Sequence, residues 1–301
     1  PGLYYNDYIL QNRQETSEKY MIEGKLMHCL LFNKEDFDKN FIITPHDLPS
    51  DNALKLLNTL FVYYKELKKA ASDFAKTAIL PSGALGSYGN EILTILSEMN
   101  LYQSLKTDGQ RLDKVLIEKN ITYFEYLIKS EGRDVIDDEQ LDAANKTVEK
   151  ILNKPSLANL IGVNLDPMSN VKVHNEYTLV ALLEKYPFDL KGIVDNMVID
   201  HDSKIIRIND LKKTNKAIQN FEEAIKYYRY DIQAAIYYFL VRNTIAKEMT
   251  DYSIQFRFLV VDNMLQVAPY KISDETMKLW FDELRSKLDI AKYHFDNRNF
   301  E

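Results

Sequence analysis

Residues 188–214 read FDLKGIVDNMVIDHDSKIIRINDLKKT, and residues 221–240 read FEEAIKYYRYDIQAAIYYFL. The first stretch predicts a β-hairpin. Its segments 190–199 and 204–212 are rich in Ile and Val and flank the polar turn His201-Asp202-Ser203-Lys204. With the turn centred between Asp202 and Ser203, Asp195 falls directly opposite Asp210, the two β-carbons about 5 Å apart on one face. Lys212 stands two residues beyond Asp210, so the strand period of two puts it on that face as well. Two carboxylates and an ammonium thus converge at one end of an otherwise apolar hairpin. Carboxylates buried side by side are costly unless a cation or a proton compensates them. Two oxygen ligands aimed at one point suit Mg²⁺ or Mn²⁺, and a lysine beside them suits a phosphodiester.

The second stretch predicts one helix. Ile218, Phe221, Ile225, Tyr228, Ile232, Ile236 and Phe239 recur at three- and four-residue intervals as an apolar stripe. Tyr230, Gln233 and Tyr237 form a second, polar-aromatic face.

Acidic residues and a lysine on a hairpin, followed by a helix carrying Gln-x-x-x-Tyr, resemble the PD-(D/E)XK nucleases, above all the branch of lambda exonuclease and the RecB nuclease domain. Asp195 takes the place of that motif's first Asp, and Asp210-Leu211-Lys212 the place of (D/E)XK; Val194 stands where the family often has Pro. Further toward the N-terminus, residues 24–45 (GKLMHCLLFNKEDFDKNFIITP) resemble the RecE (exonuclease VIII) family, in which a Gly-x-x-x-His helix precedes an acidic-aromatic segment and a Pro-terminated strand. Gly24 and His28 share a helix face, where a glycine allows close backbone approach.

The resemblance implies an α/β (α+β) restriction-endonuclease-like core, a central mixed sheet flanked by helices. It also implies the site. His28, Glu176, Asp195, Asp210 and the backbone carbonyl of Leu211 would hold Mg²⁺, with Mn²⁺ as a substitute. Asp195, Asp210, Lys212 and Glu176 would be catalytic, and Tyr230, Gln233 and Tyr237 would contact the DNA backbone. The implied activity is 5′-to-3′ digestion of linear double-stranded DNA in recombination or repair, of the kind phages carry. A homo-oligomeric ring, trimer or tetramer, and a single-strand annealing protein as partner belong to the same implication. Two other readings compete with it. One is a RecB-like, single-strand-specific or endonucleolytic enzyme, and the other is a catalytically silent DNA-binding protein of the same fold.

Composition sets the remaining bounds. The 301 residues are 46% hydrophobic and 28% charged, ordinary for a soluble globular protein. We expect a single nuclease domain over 1–301, with residues 55–120 as a helical insertion. A net charge of −7 argues against a broadly basic nucleic-acid coat, although a local basic rim still holds DNA. Cys29 is the single cysteine, which excludes an internal disulfide framework and a four-cysteine iron–sulfur cluster. A reducing, cytoplasmic setting in a bacterial or phage-infected cell fits, with no apolar run long enough to span a membrane. The chain opens on Pro1 without a signal-peptide pattern, so a trimmed N-terminus is expected.

Elsewhere, helices are expected over 3–10, 18–32, 51–76, 89–106, from Asp137 or Asp138 to about 153, and 273–292. A strand pair is expected over 171–183, and late strands over 254–261 and 264–269. Gly83, Gly86 and Gly89 read as a structural turn, since no P-loop Lys-Ser/Thr follows. Lys65, Lys68 and Lys69 read as a charged helix surface, with DNA contact as the alternative. The tyrosines read as core or interface residues rather than as a base-stacking platform.

Overall fold

A computed structural model describes residues 19–73, 82–163, 165–166 and 168–297. The expected helix over 3–10 lies outside them. The backbone divides into two compact units. One comprises 1–37 and 139–301, and the other, 38–138, interrupts it. The expected insertion, 55–120, falls inside the second unit. Among the described residues no helix is long and apolar enough to cross a membrane.

In chain order the elements are α1 (Lys19–Phe32), β1 (Phe41–Ile43), α2 (Asp51–Asp73), α3 (Gly89–Glu98), α4 (Asp108–Val115), α5 (Glu118–Lys129), β2 (Asp134–Ile136), α6 (Asp138–Leu152) and α7 (Pro155–Leu160). There follow β3 (Val171–Ala181), β4 (Leu190–Asp200), β5 (Ile205–Lys213), α8 (Phe221–Tyr228), α9 (Tyr230–Asn243), β6 (Ser253–Val261), β7 (Val267–Lys271) and α10 (Asp274–Asp296).

The interrupting unit is helical. Leu56, Leu57 and Leu60 of α2 pack with Ile92 and Leu96 of α3 and Phe124 of α5 around one core, because each helix carries its apolar residues at three- and four-residue spacing. Thr107 and Gln110 start α4 with a reciprocal capping box. β1 and β2 close the unit as a two-stranded parallel pair. Helix α3 stops at Glu98 rather than running to 106, since Asn100 and Tyr102 both adopt positive φ. Lys68 is paired with Glu131, and Lys65 lies over the Phe61 ring.

The other unit is built on a five-stranded mixed sheet in the order β3-β4-β5-β6-β7. All pairs are antiparallel except β5 with β6, which the α8–α9 crossover makes parallel. This is the mixed, helix-flanked α/β class that the resemblance implies. The hairpin forms in the register anticipated from Asp200–Ile205 to Asn196–Asn209, where the pairing stops, so the expected direct Asp195–Asp210 pair is not part of the ladder. Its turn is held by Asp200, whose Oδ1 accepts from the amides of Asp202 and Ser203, an Asx-type contact that Lys204 completes at φ 54°. Helices α8, α9 and α10 cover the sheet through Phe221, Ala234, Leu240 and Met277, packed on Met197, Ile206, Ile208, Phe256 and Phe258.

Three local expectations are corrected. The expected strand pair over 171–183 is one long strand, β3, which ends at Ala181. The predicted helix over 218–239 is two helices, broken at Arg229, which sits at φ 59°. Gly24 approaches no backbone, since a Cβ there would meet open space. The glycine that does permit close approach is Gly192, where a Cβ would lie 2.8 Å from Leu240 Cδ1 and 3.0 Å from the Tyr237 ring.

Candidate active site

The site forms where β4 and β5 part. Their ladder ends at the Asn196–Asn209 pair, and β5 continues to Lys213 beside β6 alone. At the fork a side chain replaces the missing backbone partner, as the amide of Leu211 donates to Asp195 Oδ2 at 2.8 Å. Asp195 is thereby fixed by the strand it has left. Of the Leu211 expectation, the N–H is thus committed to Asp195.

Across β4, Glu176 would lie opposite Asp195, but it drops out of the pairing between Asn175↔Asn196 and Tyr177↔Val194. Its φ of 48° is unusual for a side chain with a Cβ in mid-strand. The twist carries its carboxylate to His28 of α1. The His28 ring bridges two acids, with Nδ1 2.5 Å from Glu176 Oε1 and Nε2 2.7 Å from Asp195 Oδ2. Burial alone would lower the His28 pKa, but the hydrogen bonds to Asp195 and Glu176, and their charges, raise it to about 10. The two carboxylates thus favour the protonated ring, which stands where a cation would meet both acids.

Asp210 is fully buried. The Lys212 ammonium pairs with its Oδ2 at 2.5 Å, while Oδ1 has no hydrogen-bond partner. Burial, partly offset by Lys212 and reinforced by Asp195, pushes the Asp210 carboxyl up to about 7. Lys212, itself buried at a cost to its charge, is held above the ordinary lysine range by Asp210 and Asp195. Its Nζ also sits 4.8 Å over the Tyr230 ring.

Helix α9 brings the remaining residues. Gln233 donates to Tyr237 Oη at 2.9 Å, and burial raises the Tyr237 hydroxyl to about 12, so it is a neutral phenol at physiological pH. Beside this pair lies a groove of about 480 Å³, lined by Lys191, Gly192, Arg229, Gln233, Tyr237 and Lys287 among others. Arg229 is engaged by Asp231 and Glu283. The groove nevertheless gathers three cations on a chain whose net charge is −7.

Sequence reasoning missed a second row of polar residues. Asn175, Asn196 and Asn209 each neighbour an acid in the chain, and together they run across β3, β4 and β5. Asn209 Nδ2 donates to Asn196 Oδ1 (2.7 Å), and Asn196 Nδ2 to Asn175 Oδ1 (2.8 Å). The same amides reach the carbonyls at the end of α7, Asn196 to Ile161 at 3.0 Å and Asn209 to Leu160 at 3.1 Å. Since adjacent strand residues point to opposite faces, α7 fastens the face opposite the acids. The signal was present as mirrored pairs: Asn175-Glu176, Asp195-Asn196 and Asn209-Asp210.

Among the described residues no three His, Cys, Asp or Glu side chains converge as a ready metal cage. The donor set still fits a hard divalent cation. Asp210 is a buried carboxylate whose Oδ1 has no hydrogen-bond partner, and Asp195 and Glu176 are compensated by a proton on His28 rather than by packing. A cation would replace that proton.

No family model matches this chain, and no curated protein matches it. Among solved structures the chain is similar to a "Putative exonuclease" from Eubacterium rectale, at 13% identity and a TM-score of 0.37, over 85% of this chain and 89% of that one. It is also similar to a Vibrio cholerae protein at 11% identity and a TM-score of 0.20, over 81% of this chain and 58% of that one. Likeness at that level carries no argument about chemistry.

Proposed function

We propose that the chain is a metal-dependent deoxyribonuclease that hydrolyses phosphodiester bonds at the Asp195–Asp210–Lys212 cluster, acting as an exonuclease on linear DNA. The observation that carries this reading is Asp210, a wholly buried carboxylate whose Oδ2 pairs with the Lys212 ammonium and whose Oδ1 has no hydrogen-bond partner. A fold keeps such a group at a cost of a few kcal/mol only where something else comes to meet it.

Asp195, Asp210, Glu176 and the Leu211 carbonyl would hold Mg²⁺ or Mn²⁺, with His28 joining as a neutral ligand once its proton leaves. Bound there, the ion would supply a water of lowered pKa and neutralise charge on the phosphorane. The chain's own groups do the rest. Lys212, kept protonated by its acidic neighbours, places a fixed positive charge against a non-bridging phosphoryl oxygen. Gln233 and the neutral phenol of Tyr237 offer hydrogen bonds to the backbone of the scissile strand. Lys191 and Lys287 in the adjoining groove attract the neighbouring phosphates. Digestion of linear duplex from the 5′ end, a ring-shaped oligomer and an annealing partner extend the reading through the family resemblance alone.

The test is digestion of a linear duplex labelled at one 5′ end, with Mg²⁺ or EDTA, beside Asp210→Ala. Early release of labelled mononucleotides or short oligonucleotides, absent with EDTA and in the variant, supports the proposal. Internal cuts would replace exonuclease with endonuclease. No cleavage by a folded, DNA-binding protein with either Mg²⁺ or Mn²⁺ would overturn it.

A further inference from the structure

Helices α8 and α9 meet at Arg229, and the break leaves two large aromatic side chains in solvent. Tyr227 is 80% exposed and Tyr228 56%. They are not isolated surface residues. The Tyr228 ring stacks on Tyr230 with centroids 5.5 Å apart and planes 24° from parallel. Tyr230 stacks in turn on Phe221 at 6.1 Å and 27°, and Phe221 belongs to the sheet core. Tyr227 stands at 87° to Tyr228, 4.8 Å away. A column of rings rooted in the core therefore passes beneath the Lys212 ammonium, which lies 4.8 Å from the Tyr230 centroid, and ends at the surface in a right-angled aromatic corner.

The geometry points to this corner as a binding site for an unpaired nucleobase of the strand being cleaved. The inference rests on the nuclease reading and adds to it the state of the substrate. The Tyr228 ring lies no farther from Lys212 Nζ than the two centroid distances laid end to end, within reach of a nucleotide or two from a phosphate held at that lysine. Packing on Tyr230 and Phe221 orders Tyr228 in advance, so little side-chain freedom is lost when a base arrives. One ring offers a face for stacking and its perpendicular neighbour a wall, and this arrangement accepts any base because every base has a π-face. A base inside a duplex has both faces covered by its neighbours. The corner therefore selects a strand that is single or frayed beside the scissile bond. The tyrosines read from sequence as core or interface residues include, in this pair, a stacking platform.

The test uses the full chain and single-stranded oligonucleotides carrying 2-aminopurine at successive positions from one end, titrated in Ca²⁺ buffer. Stacking quenches 2-aminopurine at one position in the wild type. Tyr227→Ala/Tyr228→Ala abolishes that quenching and weakens single-strand binding about 5- to 100-fold, and Tyr228→Trp keeps both. Thermal melts of the variants check folding, which two exposed positions should leave unchanged. Equal quenching at every position, wild-type affinity in the double alanine variant, or full rescue by Tyr228→Leu would overturn the platform; the last would mark an apolar contact for a protein segment instead. Cleavage of the same oligonucleotides with Mg²⁺ separates the two readings. Cleavage without localised quenching leaves the nuclease and removes the platform. Localised quenching without cleavage keeps the base contact and removes the nuclease. Neither binding nor cleavage removes both.

Discussion

Two rows of polar residues cross the same three strands one residue apart, and they are treated in opposite ways. Asn209 donates to Asn196 and Asn196 to Asn175, and both also donate to the carbonyls at the end of α7, while the buried Asn209 Oδ1 has no partner. The acidic row, Glu176, Asp195 and Asp210, is held by a histidine and a lysine, and Asp210 Oδ1 has no hydrogen-bond partner. Equal depth in one sheet therefore does not mean equal purpose. A row tied by neutral amides stabilises the sheet, whereas a row of carboxylates held by a histidine and a lysine can exchange those partners for a ligand.

The largest effect that would sharpen this contrast is on cleavage. Asp210→Asn should lower cleavage by about 10³-fold or more, yet raise metal-free stability at pH 8 by roughly 1–3 kcal/mol, because burial disfavours the ionised Asp210 carboxylate more than Lys212 compensates it. Strand-cleavage rates and denaturant melts of the same preparation check both halves. A variant that lost stability and kept cleavage would reverse the assignment of the two rows.

The next effect is that of pH. His28 and Asp210 both bind their protons more tightly folded than unfolded, with pKa values raised to about 10 and about 7. For His28 the associated stability is complete below its unfolded pKa of about 6.5 and is lost as pH rises toward 10. For Asp210 the penalty for a buried charge grows as pH rises from about 4 through 7. In EDTA the protein should therefore lose up to roughly 6 kcal/mol between pH 5 and pH 9, about 3 from each group, followed as a falling melting temperature. Mg²⁺ should restore more stability at pH 8.5 than at pH 6, because binding must displace the His28 proton. Flat melting temperatures across this range would remove the imidazolium from the site.

The asparagine row gives the opposite signature. Asn196→Ala or Asn209→Ala should cost roughly 1–3 kcal/mol, since each strands buried carbonyls at the end of α7, and the loss should be the same with or without Mg²⁺. Smallest is Gly192→Ala, expected to cost about 1 kcal/mol as Leu240 and the Tyr237 ring give way. It should lower DNA affinity rather than stability if Tyr237 moves first, and filter binding beside melts separates the two.

The hairpin register was legible because Ile and Val flank an unmistakable polar turn, and a half-buried strand tolerates no slip. The acids and Lys212 followed from that register. Three features were hidden for physical reasons. Asparagine is depleted in strands, so three of them in adjacent strands suggested nothing until the sheet aligned them. The break at Arg229 left no trace, because the apolar spacing runs straight through it and the αL turn is held by ion pairs to Asp231 and Glu283, the latter far along the chain. The positive φ of Glu176 is set by tertiary demand, since nothing in its neighbours favours αL. Cys29, by contrast, is buried, as small apolar residues usually are.

The mirrored Asn–acid pairs also bear on how the chain finds its fold. If β4 or β5 slipped by one residue while pairing, every side chain would change face. Carboxylates would then confront the carbonyls of Leu160 and Ile161 with no hydrogen to donate, and amides would face His28 and Lys212 with too little charge to hold them. The penalty falls on both faces at once, so a misaligned hairpin cannot be rescued by either helix. The same residues that equip the site thus act as a checkpoint during assembly.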